Sequence, residues 1–276
     1  MNQHPTVAFN DGKAIPQIGL GVWRTPNDGA ADAVSTAIEA GYRHIDTAAV
    51  YENEAGVGEG LRQSGIARQD IFLTTKVWNA NQGYDATLKA FDASLQRLGL
   101  DHVDLYLIHW PAPNRDLYVD TWRALIRLRE EGRATSIGVS NFTVEHLDRL
   151  IAETGVTPVL NQIELHLRFQ QRQMRAAHAE RGIATESWSP LGQGQQLEDP
   201  TIGEVARKHG KTPAQVIIRW HIDNGLVVIP KSVTPSRIQA NVDVFDFRLD
   251  EDDMAKIASL DAADGRMGPD PMTANF

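Results

Sequence analysis

The chain has no cysteine among its 276 residues. Disulfides, thiolate nucleophiles and cysteine-ligated zinc are therefore excluded. No apolar run approaches the length of a membrane span. Positive charge is in deficit, with 27 Lys and Arg against 36 Asp and Glu and a net charge of −9. That balance argues against a general nucleic-acid or anionic-membrane binder, though not against one local basic pocket. The start MNQHPTVAFN has neither basic residues nor an apolar core, so no signal peptide is expected and a cytoplasmic protein is. There is no HExxH or comparable metal-ligand spacing, and no metal is expected. The Ser in GVSNF lacks the glycine spacing of a nucleophile elbow.

What is present is a regular alternation of strand and helix. The strand candidates are QIGLGV, RHIDTA, IFLTTKV, VDLYLIHW, TSIGVSN, VLNQIE, ATESWSP and VVIPKS. They number eight, and several are apolar on successive positions, as when both faces are buried. Most intervals are about 25–30 residues, enough for one crossover helix each. In DATLKAFDASLQRLG, Leu88, Phe91, Leu95 and Leu98 recur at helical spacing and Gly99 is a stop. In TPAQVIIRWHIDNG, Thr212 suits the N-cap, Pro213 the first turn and Gly225 the C′ position. Thr234 and Pro235 repeat that opening before RIQANV, and DEDDMAKIASLD opens with acids that favour a helix N-terminus. Gly41, Gly99, Gly132, Gly155, Gly182, Gly210 and Gly225 punctuate the pattern, mostly between a helix and the next strand. A Gly/Gln-rich stretch, LGQGQQLEDP, marks a long functional loop after a late strand. Near the N-terminus, two short apolar runs flank Asn10-Asp11-Gly12, a hairpin signal. A doubly wound sheet would carry a Gly-rich turn after its first strand, and IGLGVW lacks that spacing. These features predict a single α/β domain spanning 1–276, a (β/α)8 TIM barrel with an N-terminal β-hairpin plugging its bottom.

Barrel enzymes place their chemistry at the C-terminal strand ends. Asp46 and Tyr51 follow one such run, Lys76 closes another and His109 a third. Each alone reads as a cap, a rim charge or a packed ring. Together they make a proton-transfer set. A free phenol is a sluggish acid at neutral pH, but a neighbouring ammonium lowers its pKa, so Lys76 activates Tyr51. Asp46 keeps Lys76 charged and in place, and His109 offers a hydrogen bond to a carbonyl oxygen as negative charge develops. The chemistry such a set suits is protonation of a carbonyl oxygen while hydride reaches its carbon. No side chain supplies hydride, so a nicotinamide cofactor is required. Ser140, Asn141, Gln162, Trp188, Ser189 and Lys231 also stand at strand ends. Lys231, Ser232 and Arg237 at the opening of a helix read as an anion site. Trp23, Trp78 and Trp110 each follow a strand end and could wall one apolar pocket.

Along essentially its whole length the chain resembles the aldo-keto reductase family. The resemblance rests on Gly41-Tyr42-Arg43-His44-Ile45-Asp46-Thr47-Ala48 with Tyr51 and Glu54, His109-Trp110-Pro111, Gly138-Val139-Ser140-Asn141, Asn161-Gln162-Ile163-Glu164, and Ile229-Pro230-Lys231-Ser232 with Arg237. It implies a catalytic tetrad of Asp46, Tyr51, Lys76 and His109, with Tyr51 as proton donor. It implies that Ser140, Asn141 and Gln162 hold the nicotinamide carboxamide, that the ring stacks on Trp188, and that Ser189, Leu191 and Gly192 cover the pyrophosphate. Lys231, Ser232, Val233, Thr234 and Arg237 would hold the adenosine 2′-phosphate of NADPH, with Asn241 near the adenine. The family commonly has Glu before that Asn; Ala240 stands here, which implies weaker cofactor binding or discrimination. WSPLGQGQ, GKTPAQVIIRWH and NVDVFDF look like the bacterial 2,5-diketo-D-gluconate reductases. That implies small polar carbonyl substrates, such as keto-sugar acids or methylglyoxal, and a monomer. It also implies that the tail GRMGPDPMTANF drapes near the pocket mouth. Two other readings stay open: an aldolase using Lys76 as a Schiff-base nucleophile, and an NADPH-holding regulatory sensor on the same fold.

Overall fold

Runs of successive apolar residues in this chain become strands because two layers cover them, one inside the sheet and one outside. In the computed structural model, which describes residues 4–274 and 276, a hairpin comes first, with β1 (Thr6–Ala8) antiparallel to β2 (Ala14–Pro16). Its turn closes through a Phe9 N–H to Lys13 carbonyl bond of 2.8 Å. Eight parallel strands follow: β3 (Leu20–Gly21), β4 (His44–Asp46), β5 (Phe72–Val77), β6 (Val103–Ile108), β7 (Ala134–Ser140), β8 (Leu160–Glu164), β9 (Ala184–Trp188) and β10 (Val227–Val228). They pair in simple sequence order. The sheet closes on itself, because Ile18 bridges Val228 and Gly21 bridges Lys231, both parallel. Closure needs a glycine at position 21, since a Cβ there would meet the Ile229 carbonyl oxygen at 2.9 Å. The strands are those expected, and the architecture is the (β/α)8 barrel.

Helices return the chain between strands: α1 (Asn27–Glu39), α2 (Glu54–Gln63), α3 (Tyr84–Leu98), α4 (Tyr118–Glu130), α5 (Val144–Thr154) and α6 (Arg172–Glu180). The β9–β10 crossover carries two, α7 (Pro200–His209) and α8 (Pro213–Asp223). After β10 come α9 (Pro235–Val242) and α10 (Glu251–Ala258). Thr212 opens α8 through a full capping box with Gln215. Thr234 stands at the N-cap of α9 but its side chain makes no cap bond; its own N–H is instead bonded to Ser232 Oγ at 3.2 Å.

Strand alternation sorts side chains into two cores. Leu73, Val77, Tyr106, Ile108, Ile137 and Val139 face outward and pack with Val34, Phe91, Trp122 and Leu125 of the helices. Leu105, Leu107, Leu160 and Val227 face inward and pack with Phe9 and Ile15. Ile15 is wholly buried, so the hairpin plugs the barrel as expected. Above that plug the interior turns polar, with His44, Thr74, Asp46, Lys76, Gln162 and Glu186 all buried. The tetrad rests on that polar layer.

Candidate active site

A cavity of about 600 Å3 opens at the C-terminal ends of the strands, within the usual size of a small-molecule site. Asp46, Tyr51, His109, Ser140, Asn141, Gln162, Trp188, Ser189 and Lys231 all line it, with Trp23, Trp78 and Trp110. The structure therefore gathers Asp46, Tyr51, His109 and these three tryptophans at one opening, while Lys76, wholly buried, stands behind Asp46 and does not line it. Leu191, Gly192, Ser232, Val233, Thr234, Arg237 and Asn241 do not line it. They lie in sequence past Ser189 and Lys231, Leu191 and Gly192 on the β9–α7 loop, Ser232 to Arg237 around the start of α9 and Asn241 near its end.

Asp46 ends β4 and Lys76 is next to last in β5. Both point inward, and Lys76 Nζ donates to Asp46 Oδ1 at 2.6 Å and to the Thr47 carbonyl at 2.9 Å. Tyr51 sits in a 3-10 turn, Ala49–Tyr51, that ends at Glu52 in left-handed backbone geometry, φ 56°. Asn53 pins this turn: its Nδ2 donates to the carbonyls of Val22 and Thr25, and its Oδ1 accepts from Thr47 Oγ1. Nothing in the sequence pattern singled out Asn53; its polar bonds reach 31 and 28 residues back along the chain. Lys76 Nζ lies 5.2 Å from the centre of the Tyr51 ring. His109 follows β6 and meets Tyr51 edge-on, ring centres 5.6 Å apart.

Charge in this set is decided by burial. The Lys76 ammonium is wholly buried, which acts to strip its proton. Asp46, with Tyr51 and Glu186, outweighs that and holds its pKa above the usual lysine value. Burial and the Lys76 charge push His109 well below the usual imidazole range, so it is neutral, a hydrogen-bond donor and not a cation. Tyr51 departs from the expectation. Burial raises the phenol pKa, and negative charge on Asp46, and on Glu186 whenever it is ionised, adds to it, while Lys76 lowers it by charge and hydrogen bond. The net direction is upward. Burial is the largest cause, and the ammonium does not overcome it; burial is set by the fold and not by neighbours in sequence.

Around the nicotinamide-binding candidates the polar groups are already knitted together. Ser140 Oγ donates to the Gln162 carbonyl, Asn141 Nδ2 to the His109 carbonyl, and Trp188 Nε1 to Asn141 Oδ1 at 2.8 Å. Asn141 and Ser189 both adopt left-handed φ, 63° and 49°, an uncommon geometry that clusters at functional sites. Lys231 and Arg237 are exposed, and among the described residues neither joins an ion pair.

The pocket's other wall includes Phe276, which sequence reasoning did not assign. Phe276 stacks on Trp78 with ring centres 5.7 Å apart and meets Trp110 edge-on at 5.2 Å. Asn79 Nδ2 donates to the Phe276 carbonyl at 3.1 Å. Met267, Gly268 and Pro269 line the same cavity. They are held by Glu164, whose two oxygens accept the N–H of Met267 at 2.6 Å and of Gly268 at 2.8 Å. The tail thus lies at the pocket mouth as expected; its residue Asn275 lies outside the described residues.

The profile of the Aldo/keto reductase family matches residues 17–262. An aldo-keto reductase of Mycobacterium sp. strain JLS is 60% identical over 272 residues, covering 99% of this chain and 98% of that one. The methylglyoxal reductase DkgA of Escherichia coli K12 is 54% identical over 271 residues, covering 97% and 98%. Among solved structures, a Gox0644 mutant in complex with NADPH superposes with TM-score 0.96 at 55% identity over the full length of both chains. A Bombyx mori aldo-keto reductase in complex with NADP superposes with TM-score 0.89 at 39% identity, covering 95% and 94%.

Proposed function

The chain belongs to the aldo/keto reductase family, and we propose that it reduces small polar aldehydes and ketones to alcohols with NADPH, taking the proton from Tyr51. The observation that carries this reading is one pocket floor bearing a phenol, a neutral imidazole and a carboxylate, with a buried ammonium bonded to that carboxylate from behind. Bound NADPH supplies the hydride. The chain's own residues fit that cofactor. The cavity runs from Tyr51 to Lys231 past the face of Trp188, and two cations without acid partners flank the start of α9, where a phosphate is favoured. Ser140, Asn141 and Gln162 would hold the carboxamide, Trp188 the ring, Ser189, Leu191 and Gly192 the pyrophosphate. Lys231, Ser232, Val233, Thr234 and Arg237 would hold the 2′-phosphate, with Asn241 by the adenine.

His109 orients the substrate oxygen against Tyr51 by donating a hydrogen bond, and being neutral it does so without competing for the proton. Tyr51 gives its proton to that oxygen, and the phenolate left behind faces Lys76. The aromatic wall of Trp23, Trp78, Trp110 and Phe276 excludes water and favours a compact substrate. Methylglyoxal and keto-sugar acids suit this pocket, the former by likeness to DkgA. The held charge on Lys76 argues against the Schiff-base reading, which needs a free amine. A monomer completes the proposal, and light scattering tests it.

The test is NADPH consumption with methylglyoxal, an aromatic aldehyde and a diketo-sugar acid, in the native protein and in Tyr51→Phe. Turnover falling by about 10²-fold or more in the variant, with NADPH binding kept, is expected. Native binding of NADPH without turnover of any carbonyl would instead favour a sensor.

A further inference from the structure

Beneath the tetrad lies a buried acid that the reduction itself does not use. Glu186 is on β9, points into the barrel and has no solvent exposure. Gln162 joins it to the site: its Nε2 donates to Asp46 Oδ2 at 2.9 Å and to Glu186 Oε2 at 2.8 Å. One amide nitrogen thereby holds two carboxyl groups. Glu186 Oε1 is buried with no hydrogen-bond partner, and the nearby basic atom is His44 Nε2 at 3.8 Å. His44 is itself buried and bonded to Thr74 Oγ1 at 3.2 Å. Gly19 leaves it its space, since a Cβ there would collide with the imidazole.

An ionised Glu186 would leave a charged oxygen in the barrel with no donor, beside the carboxylate of Asp46. A proton on Oε1 removes that charge. We propose that Glu186 is a positioning residue, kept protonated in the barrel interior, which through Gln162 and Asp46 sets how readily Tyr51 gives up its proton. It rests on the reading of Tyr51 as proton donor.

The groups facing Glu186 are Gln162 on β8, Asp46 and His44 on β4, and Lys76 and Thr74 on β5. Burial first, and the Asp46 charge second, push its pKa up to about 8, against the Gln162 bond and Lys76. Burial and Lys76 push His44 down to about 3, so the imidazole stays neutral and brings no positive charge to Glu186. Ionising Glu186 adds negative charge that tightens the Tyr51 proton. As pH rises past about 8, proton donation then weakens in a step, ahead of the loss caused by Tyr51 itself.

Difference infrared spectra and the pH profile of kcat, on native protein and Glu186→Gln, test this. A carboxylic-acid carbonyl band is expected in the native protein near neutral pH. It should vanish as pH passes about 8 and be missing from Glu186→Gln. The native kcat should show a step across the same range that the variant lacks, while at neutral pH the variant stays within about threefold of native. Superimposable kcat profiles, or no such band, would overturn the proposal. If the variant does not fold, the native band and the native kcat step, which must fall across the same pH range, decide. The band is read without turnover, so Tyr51→Phe failing to lose activity would strike the proton-donor reading and leave the protonation of Glu186 to stand or fall separately.

Discussion

A single buried ammonium decides much at the residue scale. Lys76 is wholly buried yet charged, because Asp46 accepts from it at 2.6 Å and Thr47 at 2.9 Å. Removing it leaves a buried carboxylate unpaired, which costs about 3–5 kcal/mol. Lys76→Met is therefore expected to be both nearly inactive and strongly destabilised in urea. Lys76→Met with Asp46→Asn should regain much of the lost stability but none of the activity. If the double variant is no more stable than the single one, the pair is not what holds this part of the barrel. Asp46, Tyr51, Lys76 and His109 could be picked out from sequence because each follows an apolar run that has to be a strand. Glu186 could not: within ATESWSP it is one polar residue among several, and only barrel closure brings it beneath Asp46.

Elements were legible where local chemistry is strong. α8 opens at Thr212 with Pro213 and its capping box, and α3 ends at Gly99 in the left-handed region, φ 68°. β5 and β6 follow their apolar runs almost residue for residue. The tail after α10 is the opposite case, having no periodicity to read. Its place is set by Glu164, whose carboxylate takes two backbone N–H groups and also faces His166 Nε2 at 3.0 Å. Burial opposes its charge, but these bonds win and hold its pKa below the usual value. Charge-assisted bonds of this kind contribute about 1.5–3 kcal/mol each. Glu164→Gln loses the charge and one acceptor, so the wall formed by Met267, Gly268 and Pro269 should loosen. KM for carbonyl substrates is expected to rise by about 3–10-fold with kcat changed by less than about twofold. An equal fall in kcat would mean that Glu164 acts on the chemistry and not on the wall.

Over the whole molecule, burial of bases sets the response to acid. His44, His178 and His221 are buried, and burial pushes their pKa values down to about 3, 4 and 3. In the unfolded chain each takes up a proton near pH 6.5, while the folded barrel keeps it neutral. Stability is thus full above pH 6.5 and is lost as pH falls below it, by about 1.4 kcal/mol per pH unit for each histidine. Glu186 acts in the other direction: the folded state holds its proton up to about pH 8, so its contribution weakens as pH rises from about 4.5. These three histidines, joined by His109, which burial also holds well below the usual imidazole range, outweigh one carboxyl between pH 4.5 and 6.5. The urea midpoint is expected to fall steadily across that range on acidification. A flat midpoint would show that these histidines are charged inside the barrel.

Read alone, the order of residues determined the eight strands, the helices between them, the hairpin and the four chemistry-bearing side chains. It could do so because strand runs, caps and turn residues act over a few positions, and barrel topology then puts strand ends on one face. The tertiary structure decided the rest. It set the direction in which Tyr51 titrates, the layer of Glu186, Gln162 and His44 beneath it, the pinning of its turn by Asn53, and the closing of the pocket by Phe276. Each depends on burial or on contacts between distant segments. The field at a buried group is the sum over every charge that the fold brings near it.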